Sequence, residues 1–143
     1  MGCVTPSGEH GNGSRFISTP GLPDHLHCIW TLPPGDSDYS SRWRAIKITF
    51  AKSLAQTEYI SEARKKRGER GLWQRRFWEH RVRDERDYAT HMDYVYINPL
   101  KHQLVQRVRD WPYSSFHRDV RNGVYPGDWA GVIPKIETGE RRA

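Results

Sequence analysis

Two histidines stand one residue apart in the segment PDHLHCIW, residues 23–30. Because side chains alternate along a strand, His25 and His27 share one face while Leu26 and Cys28 share the other. Two imidazoles side by side on a strand can bind a divalent metal ion, for which imidazole is a common ligand. The pair is equally compatible with two ordinary surface histidines, and the spacing alone leaves both interpretations open.

A tyrosine and an asparagine lie four residues apart in the segment YVYINP, residues 94–99. On a helix, Tyr94 and Asn98 occupy one face and can be presented to one site. A phenol, with a pKa near 10, is a weak nucleophile unless a metal, a base or a cationic neighbour favours the phenolate. Other interpretations stay open: Tyr94 as a core aromatic, Tyr96 as a competing nucleophile, and Asn98 as a helix C-terminal residue.

Strands and helices must alternate along the chain to position these residues. Periodicity predicts a strand over 25–32, a helix over 41–57, a strand over 72–83 and a helix over 84–97. Asp84 is suited to cap the last helix, and Pro99 disfavours helical geometry at Asn98, which sets the predicted end. This order indicates a small α+β domain whose helices cover an antiparallel sheet.

The first predicted helix carries one apolar stripe. Its members follow helical spacing at Trp43, Ile46, Phe50 and Leu54. Most of its basic side chains fall off that stripe, where they can face phosphate groups. We therefore expect one face of this helix to be buried and the other to be basic.

The composition indicates one domain in a reducing compartment. The chain has 143 residues, 36% of them hydrophobic, and a net charge of +6. Cys3 and Cys28 are too few for a disulfide framework or a four-cysteine zinc site. No apolar run approaches the roughly 20 residues needed to span a bilayer, and no signal-peptide pattern is present. A cytoplasmic location is the resulting expectation.

Positive charge is concentrated in the middle of the chain. Residues 42–83 hold thirteen Lys or Arg against four Glu, a local net charge of +9, so the remainder carries −3. Arginines predominate, and the guanidinium group matches phosphate oxygens in shape and charge. Such a block is typical of a nucleic-acid partner, although a basic face kept for solubility is the alternative.

The separate motifs together resemble a known family. The stretches PDHLHCIW, LWQRRFWEHRVRDERDYATHMDYVYINPLKHQLV and DWPYSSFHRDVRNGVYP resemble, in order and spacing, the REP-associated tyrosine transposases. These are relatives of the single-tyrosine transposases in the HUH endonuclease superfamily. The resemblance covers about residues 22–129. It implies a ferredoxin-like antiparallel sheet and cleavage of single-stranded DNA by a tyrosine nucleophile with a divalent metal.

The resemblance also implies roles for individual residues. The paired histidines match His25 and His27, the catalytic tyrosine matches Tyr94, and a third metal ligand matches Asn98. The implied ion is Mg²⁺ or Mn²⁺, and the implied product is a 5′-phosphotyrosine with a free 3′-hydroxyl. Family substrates are repeats that fold into hairpins, so single-stranded or hairpin DNA is the expected partner, and a membrane partner is not expected.

Contacts to DNA are expected from the basic block. The candidates for phosphate contact are Arg44, Lys47, Lys52, Arg75, Arg76, Arg81 and Arg83. Trp43, Trp73 and Trp78 are candidates for stacking on unpaired bases. Two other classes of function remain as alternatives: a catalytically inactive, truncated nucleic-acid-binding protein, and an unrelated metal-binding protein.

The segment before the histidines departs from the family pattern. Relatives carry a strand and a helix there, whereas residues 1–22 contain five glycines and no sustained periodicity. The sequence therefore predicts an irregular leader over 1–22, a catalytic domain over 23–117 and a C-terminal tail over 118–143. One edge of the histidine strand would then be unpaired. Reduced nuclease activity and association into a homodimer through that edge are the expected consequences.

Overall fold

The structure, a computed structural model, describes residues 2–5, 15–18, 21–75 and 77–136. The chain divides into two compact units. Met1–Gly35 together with Trp78–Ala143 form one of them, which we call the sheet unit. Asp36–Phe77 form the other, which we call the basic unit. The predicted boundary between domain and tail at residue 117 therefore does not coincide with a division of the structure.

A four-stranded sheet lies at the centre of the sheet unit. Its strands are β1 (Gly2–Thr5), β2 (Arg15–Ser18), β3 (His27–Thr31) and β4 (Trp78–Arg81), in the spatial order β2-β3-β1-β4. β1 runs parallel to both β3 and β4, while β2 runs antiparallel to β3. The sheet is mixed, so the antiparallel sheet predicted from the sequence is wrong in that respect.

Two strands of this sheet come from the segment predicted to be an irregular leader. That prediction is wrong at residues 2–5 and 15–18, which pair with β3 on its two sides. Four-residue strands are held mainly by backbone hydrogen bonds, which need no apolar periodicity in the sequence. β3 therefore has no unpaired edge, and the homodimer expected from such an edge loses its structural basis. The predicted lack of the family's first helix stays a prediction, because residues 6–14 lie outside the described residues.

Four α-helices follow β3 in the described part of the chain. They are α1 (Tyr39–Ser53), α2 (Glu62–Lys66), α3 (Glu85–Lys101) and α4 (Phe116–Arg121), with a short 3-10 helix at Val108–Asp110. Asp84 caps α3 as predicted, because its carboxylate accepts a hydrogen bond from the Asp87 backbone N–H at 2.8 Å. None of the helices described here has the length and apolarity that crossing a membrane requires.

Helix α3 runs four residues beyond its predicted end. Pro99 lies inside the helix, which continues to Lys101. Residues 94–99 are all buried, so packing of this segment outweighs the local preference of a residue before proline for extended geometry. The consequence matters for the site, because Asn98, Lys101 and Tyr94 belong to one continuous helix.

Helix α1 is shorter than predicted and only partly buried. Trp43 is 1% exposed, but Phe50 and Leu54 are 47% and 43% exposed. The predicted helix extended to residue 57, whereas Leu54 already has extended backbone angles of φ −99° and ψ 139°. The apolar stripe was therefore a sound indicator of a helix, but not of burial along its whole length.

The core of the sheet unit joins α3 to the sheet. The buried cluster consists of Ile29, Val82, Met92, Val95, Tyr96, Ile97, Val108 and Phe116. Tyr125 and Trp129 pack against it from the segment predicted to be a tail. The prediction of a separate tail from residue 118 is therefore wrong for these residues, and the boundary it proposed falls inside α4.

Candidate functional site

The start of β3, the residues just before it and α3 bring the two histidines and the tyrosine together. The rings of His25 and His27 meet edge to face, with centroids 5.0 Å apart. The His27 ring meets the Tyr94 ring in the same way at 5.4 Å. Residues separated by 67 positions in the chain thus converge on one point of the fold. The strand predicted over 25–32 begins only at His27, so His25 lies just before β3 and strand alternation does not account for the contact between the two imidazoles.

An acidic neighbour orients the first imidazole. His25 Nδ1 lies 2.6 Å from Asp24 Oδ1, and the His25 side chain is 17% exposed. The hydrogen bond from His25 holds the pKa of the Asp24 carboxyl below its ordinary value, against the opposing effect of burial. With Nδ1–H donated to the carboxylate, the lone pair of this imidazole lies on Nε2. Such an arrangement is typical of a histidine that binds metal through Nε2.

A lysine that the sequence analysis missed contacts the tyrosine oxygen. Lys101 Nζ donates a hydrogen bond to Tyr94 Oη at 2.6 Å and lies 4.8 Å from the centroid of the Tyr94 ring. Tyr94 is only 3% exposed, so the ammonium acts in a poorly solvated environment. A cation in this position stabilises a phenolate relative to the phenol. The seven-residue spacing is two helical turns, but it identifies Lys101 only when the helix continues through Pro99.

A third histidine and the predicted asparagine lie at the end of α3. The His102 ring centroid is 5.0 Å from that of His25, so three imidazoles cluster here. Asn98 is fully buried one turn after Tyr94, and its backbone carbonyl accepts a hydrogen bond from the His102 N–H at 3.0 Å. His102 was not predicted, and its proximity to His25 depends on tertiary structure alone. The ligand role of Asn98 stays a prediction.

The neighbouring tyrosine belongs to the core rather than to the site. Tyr96 is fully buried, and its hydroxyl donates to Asp119 Oδ2 at 2.5 Å. Its ring packs edge to face against Phe116 at 5.3 Å. A phenol that donates to a buried carboxylate is stabilised in its protonated form, which opposes nucleophilic use. The structure therefore favours Tyr94 over Tyr96 as the nucleophile.

A second cluster of possible metal ligands lies between β4 and the start of α3. His80, Asp87 and His91 offer ligand atoms that all lie within 4.8 Å of one another. Burial alone would raise the pKa of Asp87, but hydrogen bonds from His80 and from the Arg83 backbone N–H outweigh it, so the pKa is lowered. Burial lowers the pKa of His91 and thereby favours its neutral form.

The basic unit contains a groove of about 810 Å³. Three of the predicted DNA-contacting residues, Arg44, Lys47 and Arg75, line it. Lys47 is half-buried, and burial lowers its pKa; its ammonium donates to the Gln74 carbonyl at 2.8 Å and lies 5.6 Å from the Phe77 ring. The groove combines cations with aromatic surface, which is the usual chemistry of single-stranded nucleic-acid sites.

Arginines and tryptophans complete this groove. Arg64 and Arg67, which the sequence analysis did not select, line it together with Trp43 and Trp73. The basic run at residues 64–67 was the signal that could have identified them. Trp43 is almost fully buried, in keeping with its membership of the apolar stripe. Trp73 is the more accessible of the two rings for stacking.

The remaining predicted DNA contacts are distributed over both units. Lys52 is exposed on α1 in the basic unit. Arg81 and Arg83 are exposed in the sheet unit, where Trp78 stacks on the His80 ring at 6.0 Å. Arg76 lies outside the described residues. A role in DNA binding stays a prediction for all of them.

Comparison with known proteins gives close matches, although no family model matches the chain. The sequence is 52% identical over 120 residues to a REP-associated tyrosine transposase of Escherichia coli, covering 84% of this chain and 65% of that protein. A second relative with that family name, from Haemophilus influenzae, is 50% identical over 111 residues, covering 77% of this chain and 63% of that protein. The chain thus spans slightly less than two thirds of these curated relatives.

A solved structure matches over a larger share of both chains. It shows a REP-associated tyrosine transposase bound to a REP hairpin. The TM-score is 0.75 at 48% sequence identity, and the match covers 91% of this chain and 71% of that chain. Identity at this level, over this share of both chains, means that the two share a fold and an ancestry.

Proposed function

The chain belongs to the REP-associated tyrosine transposases, and from that premise we propose that it is a metal-dependent single-stranded DNA endonuclease and strand transferase. The main support for this proposal is the environment of Tyr94 Oη, which accepts a hydrogen bond from Lys101 Nζ at 2.6 Å. The same tyrosine ring packs against His27. A buried phenol with a cation on its oxygen and imidazoles beside its ring is suited to nucleophilic attack on a phosphodiester.

Tyr94 is the nucleophile in the reaction we propose. Its oxygen forms a bond to phosphorus while the bond from phosphorus to the 3′ oxygen of the preceding nucleotide breaks. The products are a 5′-phosphotyrosine ester and a strand that ends in a 3′-hydroxyl. Lys101 stabilises the phenolate before attack and, by microscopic reversibility, stabilises it again as the leaving group when another 3′-hydroxyl attacks the ester. The ester conserves the bond energy, so strand transfer needs no nucleotide cofactor.

His25, His27 and Asn98 are the residues we propose as ligands of a divalent ion, Mg²⁺ or Mn²⁺. Two imidazoles and an amide oxygen suit Mn²⁺ and leave positions for phosphate oxygens and water. The hydrogen bond between His25 Nδ1 and Asp24 at 2.6 Å supports this role, because it fixes the tautomer with its lone pair on Nε2. When bound, the ion polarises the scissile phosphate and orients it.

DNA that folds into hairpins is the partner we propose. The solved relative is bound to a REP hairpin, and the groove of the basic unit presents cations and aromatic rings to a polyanion. Arg44, Lys47 and Arg75 contact phosphates in this proposal, and Trp73 stacks on an unpaired base. Because phosphate contacts supply most of the affinity, binding and cleavage are separable properties of the chain.

A covalent-complex assay tests the proposed function. The chain is incubated with hairpin DNA labelled at its 3′ end and Mn²⁺ and then analysed on a denaturing gel. We expect a labelled band at the mass of protein plus the 3′ fragment, absent when EDTA replaces the metal. A chain that shifts the same DNA in a native gel but forms no covalent band in Mn²⁺ or Mg²⁺ is a non-catalytic nucleic-acid-binding protein, and the proposal is then wrong.

A further inference from the structure

A compact group of metal-binding side chains joins β4 to the first turns of α3. His80 comes from β4, while Asp87 and His91 are four residues apart on one face of α3. His80 Nε2 lies 2.8 Å from Asp87 Oδ2, and His91 Nδ1 lies 3.0 Å from Asp87 Oδ1. The two imidazole rings are stacked with centroids 4.4 Å apart. The carboxylate thus stands between two imidazole nitrogens.

We propose that His80, Asp87 and His91 form a second metal site, which binds Zn²⁺ or a similar transition-metal ion. It is distinct from the ligands His25 and His27, and it does not depend on the proposed nuclease function. A tetrahedral ion with bonds of about 2.0 Å places neighbouring ligand atoms about 3.3 Å apart. The two N···O separations, 2.8 and 3.0 Å, are slightly shorter and run to different oxygens of Asp87, and the ligand atoms of the three residues all lie within 4.8 Å of one another.

The donor set selects the class of ion. Two imidazole nitrogens and one carboxylate oxygen are the ligands of many three-residue zinc sites, which keep a fourth position for water. As at the proposed His25, His27 and Asn98 site, where Mn²⁺ suits the ligands better than Mg²⁺, imidazole nitrogens favour a transition-metal ion over Mg²⁺ or Ca²⁺, which prefer oxygen ligands. The Asp87 carboxylate supplies negative charge that attracts a dication.

The surroundings of the cluster are compatible with ion entry. The side chains of His91, Asp87 and His80 are 7%, 15% and 22% exposed, so the cluster is sheltered but opens towards His80. Arg83 Nε lies 3.7 Å from Asp87 Oδ2, but its side chain is 78% exposed and can move into solvent. His91 Nδ1 also contacts the Asp87 backbone carbonyl at 2.8 Å, and that carbonyl remains part of the α3 hydrogen-bond ladder if the imidazole turns to an ion.

An ion in this site would cross-link the sheet to the helix that carries Tyr94. His91 precedes Tyr94 by three residues, so both lie on the same side of α3 within one turn. The expected effect is structural, because an ion that binds only the folded state raises its stability. Saturating metal should therefore raise the thermal midpoint of the chain.

A Co²⁺ titration of the His25→Ala/His27→Ala chain tests the site while the other histidine pair is absent. We expect one equivalent of Co²⁺ to bind with the visible absorption of a tetrahedral site, and one equivalent of Zn²⁺ to displace it. Adding Asp87→Asn or His80→Gln should weaken Co²⁺ binding at least tenfold. His117→Gln is the matched control, since His117 lies outside the cluster and contacts the Trp111 carbonyl. That variant should bind Co²⁺ like its parent.

Circular dichroism of each metal-free variant shows whether that variant is folded. If Asp87→Asn is unfolded, His80→Gln carries the comparison, because His80 lies at the exposed side of the cluster. The proposal is overturned if the His25→Ala/His27→Ala chain binds no Co²⁺. It is equally overturned if a folded His80→Gln variant binds Co²⁺ with unchanged affinity, because the three side chains are then only a hydrogen-bonded network. Neither result bears on the covalent-complex assay, so the proposed function stands or falls separately.

Discussion

The sheet unit and the basic unit differ in net charge and in how deeply their candidate site residues are buried. Residues 36–77 carry eleven Lys or Arg against five acidic residues, a net charge of +6, so the formal charges of the other residues sum to zero. In the sheet unit, His27 and Tyr94 are 3% exposed and meet through tertiary packing. In the basic unit, Arg44 and Arg75 are exposed side chains along a groove.

Under the proposed function, this difference separates catalysis in the sheet unit from DNA affinity in the basic unit. A nucleophile must be held in a fixed position with little water around it, which a buried contact between β3 and α3 provides. Phosphate contacts need charge near the surface, and they tolerate mobile side chains because each contributes little alone. Substitutions in the sheet unit should therefore change the cleavage rate, and substitutions in the basic unit should change DNA affinity and its dependence on salt.

Removing the imidazole of His27 should have the largest effect on cleavage. His27→Ala deletes a proposed metal ligand that also packs against the nucleophile, so the rate of covalent-complex formation should fall at least about 100-fold. DNA affinity in a filter-binding assay should change less than about threefold, because phosphate contacts supply it. His117→Gln is the control for loss of a half-buried histidine. A His27→Ala chain that cleaves at the original rate would exclude His27 from the metal site.

Removing the cation beside the phenol should have the next largest effect. Lys101→Met deletes a charge-assisted hydrogen bond worth about 1.5–3 kcal/mol, which corresponds to a rate decrease of about 10- to 100-fold. Lys101→Arg keeps the charge and should retain most of the activity. The activity of the Lys101→Met variant should also rise with pH. Without the lysine cation, ionisation of the Tyr94 phenol depends on the pH of the solution.

The two Lys101 variants distinguish electrostatics from packing. The measurement is the single-turnover rate of covalent-complex formation from pH 6 to pH 10. Equal losses in Lys101→Met and Lys101→Arg, with unchanged pH profiles, would mean that Lys101 contributes only to packing.

Neutralising arginines of the groove should weaken DNA binding without changing the rate of DNA cleavage. Arg44→Gln combined with Arg75→Gln should weaken DNA binding and flatten the plot of log K against log salt by about 0.7 for each phosphate that an arginine no longer neutralises. The single-turnover cleavage rate at saturating DNA should stay unchanged. Arg109→Gln combined with Arg121→Gln removes two exposed arginines of the sheet unit as a matched control. A salt dependence that matches this control would remove the groove from the DNA-binding surface.

The smallest expected effect concerns acid stability in the basic unit. Arg70 forms an ion pair with Glu58 and donates to the backbone carbonyls of Ala51, Leu54 and Ala55. The hydrogen bond from Arg70 lowers the pKa of Glu58 to about 2 from an ordinary value of 4.5. Because this pKa is lower in the folded state, its contribution to stability is present above pH 4.5 and is lost as the pH falls towards 2.

Thermal unfolding as a function of pH tests this pairing. The midpoint of the unmodified chain should fall as the pH is lowered from 4.5 to 2, and Glu58→Gln should lower the midpoint at neutral pH while flattening that dependence. Glu62→Gln is the control, because its exposed pair with Lys65 at 2.8 Å contributes little. Parallel curves for Glu58→Gln and the unmodified chain would show that the ion pair does not stabilise the unit.

The sequence predicted the parts of the site that depend on local spacing. The H-x-H spacing kept His25 close to His27 although only His27 lies in β3, and the capping preference of Asp84 placed the start of α3. Lys101 and His102 were missed because their contacts arise only where α3 continues through Pro99. That continuation depends on burial, which no local preference encodes.

The same distinction explains the errors in the fold. β1 and β2 are four-residue strands within a glycine-rich segment, and they form through pairing with β3 rather than through their own periodicity. The run of basic residues predicted an anionic partner for the basic unit, but not which arginines would share a groove. Arg44 lies on α1 and Arg64 on α2, so their position along one groove depends on the tertiary structure of the unit.

We propose that Tyr94, which contacts His27 and Lys101, forms the covalent bond to DNA. The most direct measurement is peptide mapping by mass spectrometry of the covalent complex after protease and nuclease digestion. We predict a mononucleotide attached at Tyr94, and no complex at all from Tyr94→Phe, which loses one oxygen and keeps its ring in the core. A nucleotide found on Tyr96 or on any other residue, or an undiminished complex from Tyr94→Phe, would contradict this account.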